Sequence, residues 1–375
     1  MTHRALFSLD PAVTFLNHGS FGAMPLPIQR RQQAFRDQLE RAPVQFLVNR
    51  VPALLDDARH RVAKLIGAPA EEIAFVRNAT AGVNAVLGAL TLRPGERILT
   101  TDHRYKAVGH TLAFRAKQQG AHLDIVEIPF PLCDAETVLD RIEGALRPET
   151  RLVVLDQITS ATALVMPVRR VAAMVASRPD CMLLVDGAHA PGHLELNVET
   201  MGADFWVGNL HKWPCAPKGC AVLWVPQRHQ GWVQPTVISN HFHDGFHRKF
   251  DWCGTDDPSP WLTAPAAIEL HETFGGAAFR AENIALSWQA VQRLCDRLDL
   301  EPGAGSPALR CAMGAVELPH PASERDAIYR ALLERNIEVV VHPFNDRLFL
   351  RLSAFSAYNT IEDYDRLADA LAEIL

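Results

Sequence analysis

Two short segments of the sequence hold residues that could do chemistry together. VDGAHAPG (185–192) ends an apolar run in Asp186 and passes at once into small residues. NLHKW (209–213) ends a second apolar run in the His211-Lys212 pair. In an open α/β sheet, ligands bind where strands end at their carboxyl edge, and both Asp186 and Lys212 fall at such ends. A lysine amine there can form a Schiff base with an aldehyde cofactor. A buried aspartate can keep a pyridine nitrogen protonated, so that the ring becomes an electron sink. Together they are the residues that pyridoxal 5'-phosphate (PLP) requires of a protein. For either residue alone, a solvated lysine or a helix-capping aspartate is the plainer reading. The apolar context around Lys212 argues against it, because a buried ammonium without a task is costly.

The same cofactor needs a phosphate cup. The run IAFV (73–76) leads abruptly into RNATAGVN (77–84). A helix starting there would offer free N–H groups and the Thr80 hydroxyl to a dianion at the positive end of its dipole. The competing reading is that Asn78 or Thr80 merely caps that helix. A third group, HFHDGFH (241–247), places His241, His243 and His247 around Asp244. His-x-His with an acid can hold zinc or nickel, but no metal is expected here. Loop histidines, or histidines lining a pocket, fit that segment better.

The elements that must position these residues are legible as alternating patterns. Short apolar runs at 73–76, 97–101, 122–128, 151–156, 181–186, 204–208 and 221–225 read as strands. Between most of them, apolar spacing of three to four residues at 79–90, 105–119, 135–146 and 168–177 reads as helices. This rhythm predicts an α/β fold, with a mostly parallel seven-stranded sheet covered by helices. The runs near 204–225 leave no room for a crossover helix, which predicts a local antiparallel pair. Two helices, at 27–42 and 52–66, precede the first strand. After residue 258 a long helical stretch at 263–300 gives way to mixed strands and helices, the pattern of a smaller α+β unit. The expected division is a large cofactor-binding domain at 15–258 and a small C-terminal domain at 259–375, joined by the N-terminal segment 1–14.

Composition narrows the classes further. The chain has 375 residues, 48% hydrophobic and 21% charged, with a net charge of −6. That is ordinary globular material, with no basic field for nucleic acid or anionic membranes. Seven cysteines (133, 181, 215, 220, 253, 295 and 311) are scattered, with no C-x-x-C pair. This disfavours a disulfide scaffold or a zinc ribbon and fits a reducing compartment. No apolar run reaches the ~18 residues of a membrane span, and the first residues do not read as a secretory signal. A cytoplasmic location is therefore expected. No G-x-G-x-x-G follows any predicted strand, which sets a dinucleotide-dependent dehydrogenase aside.

Taken together, FLNHGSFG (15–22), RNATAGVN (77–84), DHRY (102–105), DQITSATALVMPV (156–168), VDGAHAPG (185–192), NLHKWPCAPKGCAVLWV (209–225), WCGTDD (252–257) and RLSAFSAYNT (351–360) resemble the class V aminotransferase superfamily. Those are fold-type I PLP enzymes, and the likeness leans to the isopenicillin N epimerase-like branch. The segments span nearly the whole chain in the expected order. The resemblance implies that Lys212 is the Schiff-base lysine and the base for the substrate Cα proton. Asp186 would pair with the pyridine nitrogen, and His189 would support the polar edge of the ring. Asn78, Ala79, Thr80 and His211 would bind phosphate, Tyr105 would stack on the ring, and Gln157 would reach the ring hydroxyl. Thr255 would reach the phosphate of a neighbouring subunit, implying a homodimer. Arg351 would clamp the α-carboxylate of a small amino-acid substrate. Asn17 and His18 would line the substrate pocket, although for His18 a structural hydrogen bond is an equal expectation.

Desulfurases of this superfamily place a nucleophilic cysteine on a loop shortly before the carboxylate-binding arginine. Here VVVHPFNDRLFLR carries none, and no cysteine follows Cys311. Persulfide-forming desulfuration is thereby disfavoured. Epimerisation is the first expectation, with His18, Tyr105 and His241 as candidates for a second acid. β-Elimination by a C–S lyase is the close alternative, since it asks only for Lys212 and a good leaving group. Transamination and a non-catalytic binding homologue come further back.

Overall fold

The computed structural model describes residues 3–132 and 134–375, so the Cys133 of the cysteine inventory lies outside the described residues. The chain opens with β1 (Thr14–Phe15), α1 (His18–Phe21), α2 (Leu26–Arg41) and α3 (Val51–Ile66). The alternating region follows as β2 (Ile73–Val76), α4 (Ala79–Ala89), β3 (Arg97–Thr101), α5 (Lys106–Gln119), β4 (His122–Val126), α6 (Ala135–Ala145) and β5 (Thr150–Asp156). It continues through α7 (Val168–Ala176), β6 (Met182–Asp186), β7 (Phe205–Asn209) and β8 (Ala221–Trp224). The remainder is α8 (Phe246–Asp251), α9 (Ser259–Thr273), α10 (Ala277–Leu298), β9 (Met313–Pro321), α11 (Arg325–Glu334), β10 (Ile337–Glu338), β11 (Val340–Phe344), β12 (Arg347–Ser353) and α12 (Ile361–Ile374).

The seven-stranded sheet runs β2-β8-β7-β6-β5-β3-β4. The pairs β3–β4, β3–β5, β5–β6 and β6–β7 are parallel, while β8 is antiparallel to both β7 and β2. This is the expected mostly parallel sheet with its antiparallel pair at 205–224. Its central strands are apolar throughout because both faces are covered, as parallel sheets require. Leu152, Val154, Leu184 and Val207 face one core with α4 and α5. Val153, Leu155, Leu183 and Val185 face the other, with α3, α6 and α7.

The long helical stretch expected at 263–300 is two helices. Gly275 and Gly276 break it at φ 123° and 58°, conformations that a side-chain-bearing residue rarely adopts. Beyond it, β11-β12-β9 form an antiparallel sheet packed on α10 and α12. The start of the chain is tied to this region: Thr14 and Phe15 pair in parallel with Ile337 and Glu338, and Leu16 lies in the same apolar cluster as Leu350, Leu352 and Tyr364. The segment that follows β1 is thereby delivered to the carboxyl edge of the large sheet. No helix among the described residues is long and apolar enough to cross a membrane.

Candidate active site

Four neighbouring elements converge on one cavity of about 240 Å³. The ends of β5, β6 and β7 supply Asp156, Asp186 and Asn209, and the start of α4 supplies Asn78, Ala79 and Thr80. Lys212 and His211 enter from the loop after β7, and Ser20 and Phe21 from α1. The site therefore sits where an open α/β sheet places ligands.

The Lys212 loop is a tight structure. Leu210 and His211 donate their N–H groups to the Cys220 carbonyl, and Cys215 closes a turn onto the Lys212 carbonyl at 3.0 Å. Cys215 adopts φ 62° to do so, a left-handed conformation that costs energy for any residue with a side chain. The loop is held from behind by the N-terminal segment. A Cβ on Gly22 would fall 2.3 Å from the His211 carbonyl oxygen, so only glycine fits there. Lys212 Nζ lies 3.0 Å from His189 Nε2. Burial, reinforced by the Arg351 charge, lowers the Lys212 amine to about 7 against the opposing pull of Asp186 and Asp156. A large fraction of such amines is uncharged and nucleophilic at neutral pH.

Asp186 is 3% exposed and accepts the Ala188 N–H at 3.0 Å. Burial raises its carboxyl, while Ala188 and Lys212 favour the anion. His189 is buried and held neutral by desolvation and by Lys212, and its Nδ1 has no partner among the described residues. A buried carboxylate beside an unsatisfied imidazole nitrogen leaves room for a ligand with a cationic ring nitrogen and a polar edge.

At the phosphate end, Asn78 caps α4 by accepting the Ala81 N–H at 2.8 Å. The Ala79 N–H, expected to face phosphate, instead donates to Asn209 Oδ1 at 2.8 Å. The donors left at this helix start are the Thr80 N–H and hydroxyl. His211 Nδ1 donates to the Cys220 carbonyl at 3.0 Å, which leaves Nε2 for a ligand. Burial lowers its imidazole to about 4; a dianion alongside would oppose that shift. Tyr105 borders the cavity and is 44% exposed, an aromatic face with nothing stacked on it.

Three expected residues are placed differently. Gln157 turns away from the cavity, and its Oε1 accepts the Trp206 indole N–H at 2.9 Å. Successive strand residues face opposite sides, so Asp156 and not Gln157 faces the cavity. His18 does not line the cavity: it is fully buried, with Nδ1 2.6 Å from Tyr358 Oη and Nε2 3.2 Å from the Lys212 carbonyl. Its ring stacks on Phe355 at 4.0 Å. Thr255 is exposed and stands apart from the Lys212 cavity of its own chain.

Arg351, 3% exposed, lies just behind the cavity wall. It donates to the Ser160 carbonyl, to Ser20 Oγ at 2.8 Å and to Asn17 Oδ1 at 3.2 Å, and its Nε is buried without a partner among the described residues. Desolvation lowers it to about 10, so it remains charged. Asn17 therefore joins the site through Arg351. Ser20, Phe21, Asp156, Ser160 and Asn209 complete the cavity without having been singled out from the sequence. His241 lies elsewhere, beside Trp252, with Nδ1 2.6 Å from Asp244. Among the described residues no three His, Cys, Asp or Glu side chains are grouped to hold a metal.

The "Isopenicillin N epimerase" of Streptomyces clavuligerus is 34% identical, over 98% of this chain and 96% of its own length. The "Probable L-cysteine desulfhydrase, chloroplastic" of Arabidopsis thaliana is 28% identical over 96% and 83%. Among solved structures, a lysine variant of C-DES with glycine covalently linked to its PLP cofactor superposes with a TM-score of 0.87. It is 22% identical and covers 99% of both chains, which establishes the shared fold. The family model for class V aminotransferases matches residues 33–367, and the chain belongs to that family.

Proposed function

We propose that this protein is a PLP-dependent enzyme that removes the Cα proton of a small amino acid. The observation that carries this reading is the buried Lys212 amine, 3.0 Å from His189 Nε2 in the same cavity that Asp186 lines. When bound, PLP would supply the electron sink for the Cα carbanion. Asp186 would hold the ring nitrogen, His189 the polar edge of the ring, and Thr80 with His211 the phosphate. Tyr105 would cover one ring face, a contact worth about 1 kcal/mol beyond its burial. Arg351 would take the substrate carboxylate in exchange for Ser20 and Asn17. Lys212 would accept the Cα proton at Nζ.

Epimerisation is the first finer reading, supported by the 34% identity to an isopenicillin N epimerase along almost the whole chain. The second reading is β-elimination of a thiol or related leaving group. It is favoured because the second-acid candidates have thinned. His18 is sealed behind the Lys212 backbone and His241 lies outside the cavity, leaving Tyr105. Persulfide formation remains disfavoured: Cys311, the last cysteine, is buried, and burial pushes its thiol up to about 12.

The enzyme would act as a homodimer, with Thr255 reaching the partner's phosphate site. An apolar recess lined by Leu47, Val237, Trp252 and Trp261, flanked by exposed Val44, Val48 and Ile238, supports an apolar partner surface beside Thr255.

The deciding experiment incubates the loaded enzyme in deuterium oxide with L-amino acids, cysteine conjugates and sulfoxides. Cα deuterium with inversion and no pyruvate would establish epimerisation. Pyruvate with ammonia would establish the lyase, and no exchange on any of them would refute Cα chemistry.

A further inference from the structure

Asp156 and Asp186 end adjacent parallel strands, with their Cα atoms in direct register. Neighbouring strands lie about 4.8 Å apart, and side chains in register point to the same face. Both carboxyls accordingly line the one cavity, at 4% and 3% exposure. Two buried carboxyls on one face of adjacent strands disfavour each other's ionisation, which favours a proton on one of them. Asp186 has the better claim to the charge, because it accepts the Ala188 N–H and faces Lys212. Asp156 Oδ1 is buried without a partner among the described residues, which is unfavourable for an anion and is relieved if the group carries a proton.

We propose that Asp156 is a second carboxyl of the cofactor site that carries a proton, so that the two aspartates together present one negative charge to the ring nitrogen. The role toward the ring rests on the PLP reading above; the proton on Asp156 does not. Burial and Asp186 both push the Asp156 carboxyl well above its ordinary range. The Tyr105 backbone N–H, Lys212 and Arg104 offset this only in part. The groups facing the pair are thus Lys212 from its loop, and Arg104 and Tyr105 from the turn before α5. A lone ionised Asp186 beside Lys212 would be drawn toward the amine.

The test has two arms. Infrared difference spectra of the apoprotein at pH 7 should contain a protonated-carboxyl stretch that Asp156→Asn removes and Asp186→Asn retains. The reverse pattern, or no such band, would overturn the proposal. In the second arm, PLP affinity is measured by titrating apoprotein. Asp156→Asn, which is neutral and still a donor, should stay within about threefold of wild type, whereas Asp156→Val should bind at least about tenfold more weakly. An Asn variant as weak as Val would mean that Asp156 acts as an anion, and a Val variant equal to wild type would mean it has no part in the site. Wild type that takes up no PLP would refute the cofactor reading, leaving the infrared arm to judge the proton.

Discussion

Lys212 Nζ and His189 Nε2 stand 3.0 Å apart, from two loops that follow different strands of the sheet. Both groups are neutralised by the same burial. A neutral imidazole nitrogen can accept a hydrogen bond from the amine, so His189 aims Nζ without competing with it as a cation. Burial and the Arg351 charge hold the amine near 7, where an exposed lysine would be almost wholly protonated.

Cofactor uptake should reveal that poise. Mixing apoprotein with PLP, the rate at which the visible band grows should rise between pH 6 and 8 with a midpoint near 7. A rate that climbs only toward the ordinary lysine value of 10.5 would contradict the environment described for Lys212. Lys212→Ala should give no band that borohydride abolishes.

The lowered amine also has a cost in stability. The unfolded chain protonates Lys212 up to about pH 10.5 and the folded chain only up to about 7. Stability of the apoprotein therefore rises with pH across that window, and the penalty is full below it. Lys212→Met should melt higher than wild type at pH 6, by up to about 5 kcal/mol. The gap should close as pH approaches 10.5. Equal melting at pH 6 would show that the amine is not destabilised by its site.

The sheet and the Lys212–Asp186 pair were legible because strand ends, small residues and turns recur locally in the sequence. The reading slipped where a single step mattered. At the end of β5, Asp156 and Gln157 are adjacent and point to opposite faces, and an apolar run does not mark which one faces the ligand. His18 was ambiguous for a different reason: its partner, Tyr358, is 340 positions away. Ser20 and Ser160 were invisible because their role is to hold Arg351, a contact made only by tertiary packing. The glycine pair that splits the helical stretch after Phe274 was readable, yet helical spacing on both sides masked it.

The Tyr358–His18 hydrogen bond ties the C-terminal region to the Lys212 carbonyl. Tyr358→Phe would leave His18 Nδ1 buried and unpaired, at a cost of about 1–3 kcal/mol. A lower melting temperature and faster loss of PLP on dilution are expected together. If stability falls while PLP retention is unchanged, His18 supports the fold and not the lysine.

Gly22 offers a more severe test of the same support. Alanine there meets the His211 and Lys212 carbonyl oxygens and must adopt φ 65°. Gly22→Ala should cost more than about 2 kcal/mol and weaken PLP binding, read by thermal melts and apoprotein titration. A variant that melts like wild type would mean that the N-terminal segment does not press on the lysine loop.

Arg351 is proposed to act on both the substrate and the lysine, and two substitutions separate the roles. Arg351→Lys keeps a positive charge near Lys212 but loses the planar fork that matches a carboxylate. KM for the amino acid should rise about 10- to 100-fold, while the midpoint of PLP uptake stays near 7. Arg351→Gln removes the charge that helps to lower the Lys212 amine, so the midpoint of uptake should move upward in pH as well. If both variants raise KM and neither moves the midpoint, Arg351 acts on the substrate alone, and burial by itself sets the reactivity of Lys212.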